Sequence, residues 1–241
     1  MTKIFAHRGS KGTHPENTIP AFQEAIDALA DGIELDVQLT IDGHLVVIHD
    51  EKVNRTTNGK GWVKDYTLEE IKGLDAGVWF AEEYENTRIP RLEEVLTLLK
   101  ENTFSGILNI ELKTDEIDYP MIEEKVLSTL KQADISFKVI LSSFNKETVK
   151  RLEKLDEFYE KAFISFGNAK DMKWMNEQHS INSYHPYIGW LKRNIDKVST
   201  VEMVRPWTVN KEKDMTFCFD NKLAGIFTDF PRKALEVRKN G

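Results

Sequence analysis

The sequence predicts a (β/α)8 barrel, or TIM barrel, with a small insertion after its second strand. Short apolar runs alternate with amphipathic stretches along the whole chain of 241 residues. Several runs are almost continuously hydrophobic, which is typical of strands that are buried on both faces. Polar, titratable residues repeatedly follow these runs, at the end where barrel enzymes carry their catalytic groups. A doubly wound open sheet is the main alternative.

Eight apolar runs are the predicted strands, and their rhythm is the basis of the fold prediction. They lie at residues 3–6, 32–37, 45–48, 106–112, 138–143, 161–165, 203–209 and 224–228. Between residues 180 and 200 the strand that a barrel requires is hard to recognise.

Amphipathic stretches between the runs are the predicted helices. They lie at residues 17–30, 91–102, 119–133 and 145–158, with a weaker example at 171–178. In the first stretch Thr18 is suited to cap the amino end and Pro20 falls in the first turn, and both features favour a helix start.

Residues 51–90 interrupt the alternation of strands and helices. The segment is rich in Gly, Asn, Thr and Trp, and a structureless loop of this length is uncommon inside a compact domain. We therefore expect a small inserted subdomain at about residues 51–90, in a chain that forms a single domain over residues 1–241.

The composition limits the partners and the compartment. A formal net charge of −7 argues against general nucleic-acid binding. No apolar run approaches the roughly 18 residues of a membrane span, and the start MTKIFAHRGS carries no apolar core of a secretory signal. The single cysteine, Cys218, excludes an internal disulfide and fits a reducing, cytoplasmic compartment. We expect it to be a small buried hydrophobe, and the oligomeric state stays open.

Three acids point to a metal ion. Glu34 and Asp36 are two residues apart in a predicted strand, so their side chains point to the same side. Burying both charges there is costly unless a cation compensates for them. Glu111 ends a neighbouring predicted strand, and three carboxylates suit Mg²⁺, Ca²⁺ or Mn²⁺. A solvated strand end, or an ion pair between Glu111 and Lys113, is the alternative.

Two histidines and two cations follow predicted strands at the same end. His7 and His49 offer an acid–base pair near neutral pH. Asp50 either orients an imidazole or caps a turn. Arg8 and Lys113 supply positive charge for an anion, since three carboxylates, one divalent ion and one phosphodiester together leave a net negative charge.

The strings that contain these residues resemble the glycerophosphodiester phosphodiesterase family. In chain order they are AHRGSKGTHPENTIPAF, ELDVQLTIDGHLVVIHD, NRTTNGKG, IPRLEEVL, NIELK, WTVN and GIFTDFP. Each string is weak alone, but together, collinear and so spaced, they are highly specific from residue 4 to about residue 232. One departure lies before WTVN, where STVEMVRPWTVN lacks the glycine-containing turn that the family commonly has.

The resemblance implies a TIM barrel with an insertion after the His-Asp motif, and it assigns roles to the candidate residues. It implies that His7 and His49 are the acid–base pair. It implies that one divalent cation, usually Ca²⁺ or Mg²⁺, is bound by Glu34, Asp36 and Glu111. It also implies that Arg8 and Lys113 contact the phosphate. Glu16 of the PENT string lies near this site in the family, although it equally suits the helix start. The resemblance also implies that Trp207 lines the substrate pocket, although a buried strand tryptophan is an equally good interpretation.

The implied activity is hydrolysis of a glycerophosphodiester to sn-glycerol 3-phosphate and an alcohol. By analogy with the related phosphatidylinositol-specific phospholipase C barrels, we expect His7 to deprotonate the nucleophile and His49 to protonate the leaving alkoxide. The nucleophile is either water or the neighbouring glycerol hydroxyl, the latter through a cyclic phosphate. The alternatives are a lysophospholipase D or phospholipase C-like activity on lipid phosphodiesters and, third, a non-catalytic binding barrel.

Overall fold

A computed structural model describes residues 1–178, 181 and 183–240, and nine strands form one sheet within them. They are β1 (Lys3–Ala6), β2 (Gly32–Leu39), β3 (Leu45–Val47), β4 (Ile107–Leu112), β5 (Lys138–Ser143), β6 (Glu160–Ser165), β7 (Ser183–Pro186), β8 (Met203–Val204) and β9 (Gly225–Thr228). Eight strands follow the order β8-β7-β6-β5-β4-β2-β1-β9 and pair in parallel, while β3 pairs antiparallel with β2 outside this series.

Backbone hydrogen bonds join the segments around β8 and β9, the two ends of the series. The N–H of Ala224 donates to the carbonyl of Val204 at 3.1 Å, and the N–H of Phe227 donates to the carbonyl of Pro206 at 3.0 Å. The parallel strands therefore form a nearly closed barrel, and the predicted (β/α)8 fold is confirmed. A doubly wound open sheet would leave both of these edges unpaired.

The helices lie between the strands, as the amphipathic stretches predict. They are α1 (Ile19–Asp27), α2 (Leu68–Gly73), α3 (Leu92–Glu101), α4 (Ile122–Ala133), α5 (Lys146–Leu155), α6 (Ala169–Glu177), α7 (Ile188–Leu191), α8 (Glu212–Asp220) and α9 (Pro231–Asn240). Thr18 precedes α1, but its hydroxyl donates to the carbonyl of Pro15 at 2.6 Å and accepts no bond from the helix. Thr18 therefore occupies the predicted N-cap position, but its side chain does not cap the helix.

The predicted strand at 203–209 is shorter than expected, because β8 ends at Val204. Pro206 has no N–H to continue the ladder towards β9. The N–H of Trp207 still donates to the carbonyl of Pro186 at 3.0 Å, so the chain keeps its course beside β7. This course carries the Trp207 side chain to the mouth of the barrel.

The strand that is hard to recognise between residues 180 and 200 is β7. Its four residues, SYHP, are all buried, yet three of them are not typical strand formers. Residues 180 and 182, which belong to the same region, lie outside the described residues.

Alternation along the strands decides which side chains enter the barrel. Residues two apart point to the same side, and a buried cluster around Phe5, Ile140, Ala162 and Phe227 occupies the interior. Steps of two residues from these positions towards the carboxyl ends lead to His7, Phe144, Phe166 and Asp229. The interior face of the strands therefore ends in aromatic and titratable side chains at one mouth.

The opposite faces of the strands pack against the helices. Leu35 and Ile110 belong to a buried cluster that also contains Leu96 of α3 and Val126 of α4. Burying one such side chain stabilises the fold by about 1.5–3 kcal/mol. This apolar shell holds in place the strands whose ends carry buried charges.

Residues 51–90 enclose a small apolar cluster together with the segment around β3. Its buried members are Val46, Ile48, Val53, Val63, Ile71, Ala76 and Ile89. Asp75 holds one loop of this region by accepting hydrogen bonds from the N–H groups of Gly77 and Val78, each at 2.8 Å, and from that of Asn86. The division into one domain, 1–241, with an inserted subdomain stays a prediction, and residue 241 lies outside the described residues.

Two expectations drawn from composition concern the membrane and the cysteine. Among the helices of the described residues, none combines the length and the apolar character needed to cross a bilayer. Cys218 is fully buried in α8, and burial raises the pKa of its thiol to about 12. The expectation of a small buried hydrophobe is thus confirmed.

Candidate active site

A cavity of about 310 Å³ opens at the carboxyl ends of the barrel strands. Seven of the predicted site residues line it, namely His7, Arg8, Glu34, His49, Glu111, Lys113 and Trp207. Asp36 and Glu16 lie behind this wall, each in contact with the Arg8 guanidinium. The structure thus brings together all nine residues that the sequence singled out.

Three carboxylates form a compact group at the base of the cavity. One oxygen each from Glu34, Asp36 and Glu111 lies within 4.8 Å of the other two. Strand alternation places Glu34 and Asp36 on the same side of β2, and the parallel register sets Asp36 opposite Glu111 of β4. Their exposed fractions are only 3%, 0% and 8%.

A bound cation would offset the burial and mutual repulsion of these three carboxylates. Burial, together with the neighbouring carboxylates, raises the pKa values of Glu34 and Glu111 above their ordinary values. Burial also opposes ionisation of Asp36, but the charges of His49, Arg8 and Lys113 outweigh it and lower the Asp36 pKa. An additional positive charge would stabilise the ionised form of all three acids.

The donor set of this group fits a hard divalent cation. Asp36 Oδ1 is buried and has no hydrogen-bond partner among the described residues. Buried carboxylate oxygens are normally paired, so an unpaired one marks a place for a further ligand. Three carboxylate oxygens from two adjacent strands are the donors that Mg²⁺, Ca²⁺ or Mn²⁺ prefer.

Arg8 and Glu16 form a charged layer beside the acids. Arg8 follows β1 with a left-handed backbone (φ 52°), and its N–H donates to Glu34 Oε2 at 2.7 Å. Its guanidinium donates to Glu16 Oε1 at 2.7 Å and lies 3.4 Å from Asp36 Oδ2. Burial opposes the charge of Glu16, but Arg55, Arg8 and Lys11 hold its pKa well below its usual range. Glu16 therefore serves this charged layer rather than the start of α1.

Lys113 lies on the other side of the acids. Its Nζ is 3.1 Å from Glu111 Oε1 and 3.5 Å from Asp115 Oδ1. The ion pair between Glu111 and Lys113 is therefore present, but it coexists with the acid group instead of replacing it. Burial opposes the charge of Lys113, but Glu111 and Asp36 outweigh it and raise the Lys113 pKa, so this cation stays charged.

His7 is held by a carboxylate from the last strand. Its Nδ1 lies 2.7 Å from Asp229 Oδ1, and Asn210 Nδ2 donates to Asp229 Oδ2 at 2.7 Å. Burial opposes the charge of Asp229, but the bond to His7 prevails and lowers its pKa, so it is an acceptor and Nδ1–H is the donor. Nε2 of His7 is then the nitrogen available for chemistry.

His49 forms an equivalent pair with its neighbour in sequence. Its Nδ1 lies 2.7 Å from Asp50 Oδ1, so Asp50 orients the imidazole rather than serving only as a turn residue. The buried side chain of Gln38 fixes the backbone here, since its Nε2 lies 2.8–3.1 Å from the carbonyl oxygens of residues 48–50. Tyr119 in turn donates its hydroxyl to Gln38 Oε1 at 2.9 Å.

An aromatic wall faces the charged side of the cavity. The half-buried ring of Trp207 lies 5.2–5.7 Å, centroid to centroid, from Phe144, Phe166 and Tyr187. Its Nε1 donates to the carbonyl of His185 at 2.8 Å. Trp207 therefore lines the cavity and is not a fully buried strand residue.

Sequence reasoning missed several residues of this site. Asn17 donates to Asp36 Oδ2 at 2.8 Å from the same PENT string that contains Glu16. His185 also lines the cavity, and burial followed by the charge of Arg205 lowers its pKa well below the usual value. Strand alternation through β7 would have pointed to His185 if that strand had been recognised. Arg55 contacts both Glu16 and Asp50 from the insertion.

Three comparisons with known proteins agree with one another. The model of the glycerophosphoryl diester phosphodiesterase family matches residues 7–233. A glycerophosphodiester phosphodiesterase from Bacillus altitudinis is 45% identical over 243 residues, with 99% of each chain covered. One from Caldanaerobacter subterraneus subsp. tengcongensis is 43% identical over 244 residues, covering 100% of this chain and 99% of its own.

A solved structure extends the comparison to the fold. An Oleispira antarctica phosphodiesterase, in complex with the product sn-glycerol-3-phosphate, matches this chain with a TM-score of 0.87 at 27% identity. The match covers 99% of this chain and 97% of that one. The similarity is therefore spread over the whole barrel and is not confined to a few strings.

Proposed function

The chain belongs to the glycerophosphoryl diester phosphodiesterase family and is a phosphoric diester hydrolase, and we propose that it converts glycerophosphodiesters to sn-glycerol 3-phosphate and an alcohol. One observation carries this proposal: three buried carboxylates and two aspartate-tethered histidines meet at one cavity. The relative that was solved with sn-glycerol-3-phosphate supports the choice of product.

In this proposal Glu34, Asp36 and Glu111 hold one divalent cation, Ca²⁺ or Mg²⁺, with Mn²⁺ as the alternative. When bound, such an ion neutralises the charge that grows on the phosphoryl oxygens in the transition state. The unpaired Asp36 Oδ1 and the mutual repulsion of the acids support this assignment.

We assign His7 as the general base and His49 as the general acid. Burial, followed by the charge of Arg8, lowers the pKa of His7, so its imidazole is neutral at pH 7 and Nε2 can accept a proton from the nucleophile. His49 donates a proton from Nε2 to the leaving alkoxide as the phosphorus–oxygen bond to the alcohol breaks. Water as the nucleophile gives glycerol 3-phosphate directly, and the neighbouring glycerol hydroxyl gives it through a cyclic phosphate.

The remaining candidate residues bind and orient the substrate. Arg8 and Lys113 stay charged at the cavity wall, where they attract the phosphodiester and stabilise its negative charge. Glu16 holds the Arg8 guanidinium, and Trp207 supplies an apolar wall for glycerol or the alcohol. We further propose that residues 51–90 cover the bound glycerol, and Glu51 already contributes to the cavity wall.

A second candidate function is a lysophospholipase D or phospholipase C-like activity on lipid phosphodiesters. The observation that favours it is the exposure of two rings in the aromatic wall, Phe166 at 68% and Tyr187 at 43%. An apolar surface at a cavity mouth suits an acyl chain. Rates on glycerophosphocholine and lysophosphatidylcholine separate the two functions, and we expect glycerophosphocholine to be the faster substrate.

We place this enzyme in the cytoplasm, because its single cysteine is buried and forms no structural disulfide. The formal net charge of −7 makes nucleic acid an unsuitable partner. In this proposal the small glycerophosphodiester is attracted by the cations of the cavity, Arg8 and Lys113, and not by the net charge of the chain.

The test is a coupled assay for glycerol 3-phosphate after removal of metal with EDTA. Ca²⁺, Mg²⁺ or Mn²⁺ is added back separately, with several glycerophosphodiesters as substrates. We expect activity to vanish with chelation and to return with at least one of the ions. Glu34→Gln should lose ion binding and activity together, whereas Glu116→Gln, at the exposed rim, should keep the ion requirement. Full activity in EDTA would contradict the metal site, and no release from any substrate would contradict the function.

A further inference from the structure

Arg55, from the insertion, joins two carboxylates that each contact a different candidate active-site residue: Asp50 contacts His49, and Glu16 contacts Arg8. Its Nε and Nη2 donate to the two oxygens of Asp50 at 2.7 and 2.8 Å. Its Nη1 and Nη2 donate to the two oxygens of Glu16, both at 2.8 Å. One planar guanidinium therefore makes four charge-assisted hydrogen bonds, a geometry that lysine does not reproduce.

The Asp50 side of this bridge leads to the general acid. Asp50 Oδ1 accepts from both His49 Nδ1 (2.7 Å) and Arg55 Nη2 (2.8 Å). Arg55 also binds Asp50 Oδ2, so the carboxylate is held by both oxygens and has little freedom to rotate. The imidazole plane of His49 is set by this carboxylate.

The Glu16 side leads to the phosphate-binding arginine. Only 2% of the Glu16 side chain is exposed, and it receives Arg8 Nη1 at 2.7 Å as well as Arg55. A buried carboxylate is costly unless cations and hydrogen-bond donors compensate for its lost hydration, and one hydrogen bond is not enough for this. Arg55 donates to both Glu16 oxygens, and Lys11 Nζ lies 3.9 Å from Glu16 Oε2. The hydrogen bond from Arg8 to Glu16 Oε1 then helps to keep the Arg8 guanidinium near Asp36.

Arg55 is not placed to support the core. Its side chain is 43% exposed, and it lies outside the apolar cluster of the insertion. The pair with Asp50 is partly exposed and contributes little to global stability, whereas the pair with the buried Glu16 also contributes to stability, because its loss leaves that carboxylate with fewer cationic partners. Holding partners of active-site groups in register has a much larger effect on rate, typically about 10–100-fold for residues that orient a catalytic or ligating group.

We propose that Arg55 is a positioning residue that fixes the insertion against the active site. Its contact with Asp50 orients His49, and its contact with Glu16 orients Arg8. This inference rests on the proposed function, since His49 and Arg8 act on the phosphodiester only there. It also assigns the insertion a role in alignment, in addition to covering the substrate. The orientation of the general acid then depends on residues 51–90 being folded against the barrel.

Arg55→Gln tests this role against Arg88→Gln as a matched control. Arg88 is exposed on the same insertion and donates to one backbone carbonyl, that of Gly73, at 2.9 Å. We expect Arg55→Gln to lower kcat about 10–100-fold and to raise KM, with the circular dichroism spectrum and the affinity for the activating cation unchanged. Tm should fall, because the buried Glu16 loses a cationic partner, but the protein should stay folded at the assay temperature. Arg55→Lys should recover only part of kcat, because it holds one carboxylate at a time. Arg88→Gln should stay close to wild type.

A double-mutant cycle with Asp50→Asn separates the two arms of the bridge. If Arg55 acts on His49 through Asp50, the kcat effect of Arg55→Gln should largely disappear in the Asp50→Asn background, while the KM effect through Glu16 persists. A full, independent loss of kcat in that background would overturn the proposal, as would equal behaviour of Arg55→Gln and Arg88→Gln. A wild-type protein that releases no glycerol 3-phosphate would instead contradict the proposed function itself.

Discussion

The two histidine–aspartate pairs have the same geometry but are built in different ways. His7 and Asp229 are 222 positions apart in sequence and meet at 2.7 Å because β1 pairs with β9. His49 and Asp50 are consecutive, meet at the same distance, and follow the antiparallel strand β3 outside the barrel. The first pair is 12% and 17% exposed, and the second is 28% and 30% exposed.

This difference indicates that the barrel alone holds His7, whereas the barrel strand β2 and the insertion together hold His49. The position of His7 follows from closure of the sheet, so it is as stable as the global fold. The position of His49 depends on Gln38, which donates to its backbone carbonyl, and on Arg55, which holds the Asp50 carboxylate that orients its imidazole. Changes in the insertion should therefore weaken the chemistry of His49 and leave His7 in place.

Removal of either imidazole gives the largest expected effect. His7→Ala and His49→Ala should each lower kcat by about 10²–10⁴, because each removes one proton-transfer group. Isothermal titration with the activating cation should show that both variants still bind it, since neither histidine belongs to the acid group. Near-normal turnover of either variant would remove that residue from the mechanism.

The aspartates that orient the imidazoles come next. Asp229→Asn and Asp50→Asn should each lower kcat by about 10–10², since the ring nitrogen that faces the substrate is no longer fixed.

The activity of the wild-type protein should fall on acidification, as His7 becomes protonated. Because burial and the charge of Arg8 lower the pKa of His7, this acid limb of the pH profile of kcat/KM should lie below pH 6.5.

The pH dependence distinguishes the two pairs. Asp229 raises the pKa of His7 against the effect of burial, so Asp229→Asn should move the acid limb of kcat/KM to still lower pH. Asp50→Asn should leave this limb unchanged, because Asp50 is paired with the other histidine. A shift of the limb in Asp50→Asn, with none in Asp229→Asn, would reverse our assignment of the base.

The smallest effect is expected from Asp75→Asn, within the insertion. Burial opposes the charge of Asp75, but hydrogen bonds from backbone N–H groups outweigh it and lower its pKa. Neutralising the side chain should destabilise residues 75–87 locally by about 1–3 kcal/mol. Hydrogen exchange should speed up in this loop and stay unchanged in β1 and β2. An equal increase in the hydrogen-exchange rate of the barrel strands would show that the insertion and the barrel unfold together as one cooperative unit.

Much of the barrel and of its site is predictable from the sequence because one rule, the alternation of side chains along strands, governs both. Glu34 and Asp36 must share a side, and parallel strands place Glu111 at the same end. The shortness of β8 is less evident, since it follows from a single missing N–H at Pro206. His185 escapes notice because its strand has only four residues, three of which have low strand propensity.

The contacts between loops could not be predicted. The pairing of Arg55 with Glu16 spans 39 positions and joins two irregular segments, for which no periodicity applies. The choice between the two roles of Asp50 likewise depends on a side-chain rotation that sequence leaves open. Such contacts determine how the catalytic groups are oriented, whereas the periodic pattern of the sequence indicates only where these groups lie.

The most direct measurement is a ³¹P NMR time course of glycerophosphocholine with the purified chain, first in EDTA and then with a divalent cation added in excess. The account predicts no change in EDTA and, after addition, a single phosphomonoester signal that coincides with authentic sn-glycerol 3-phosphate. A phosphocholine signal would show that the wrong phosphorus–oxygen bond is broken, and hydrolysis in EDTA would show that the buried acids serve some other purpose.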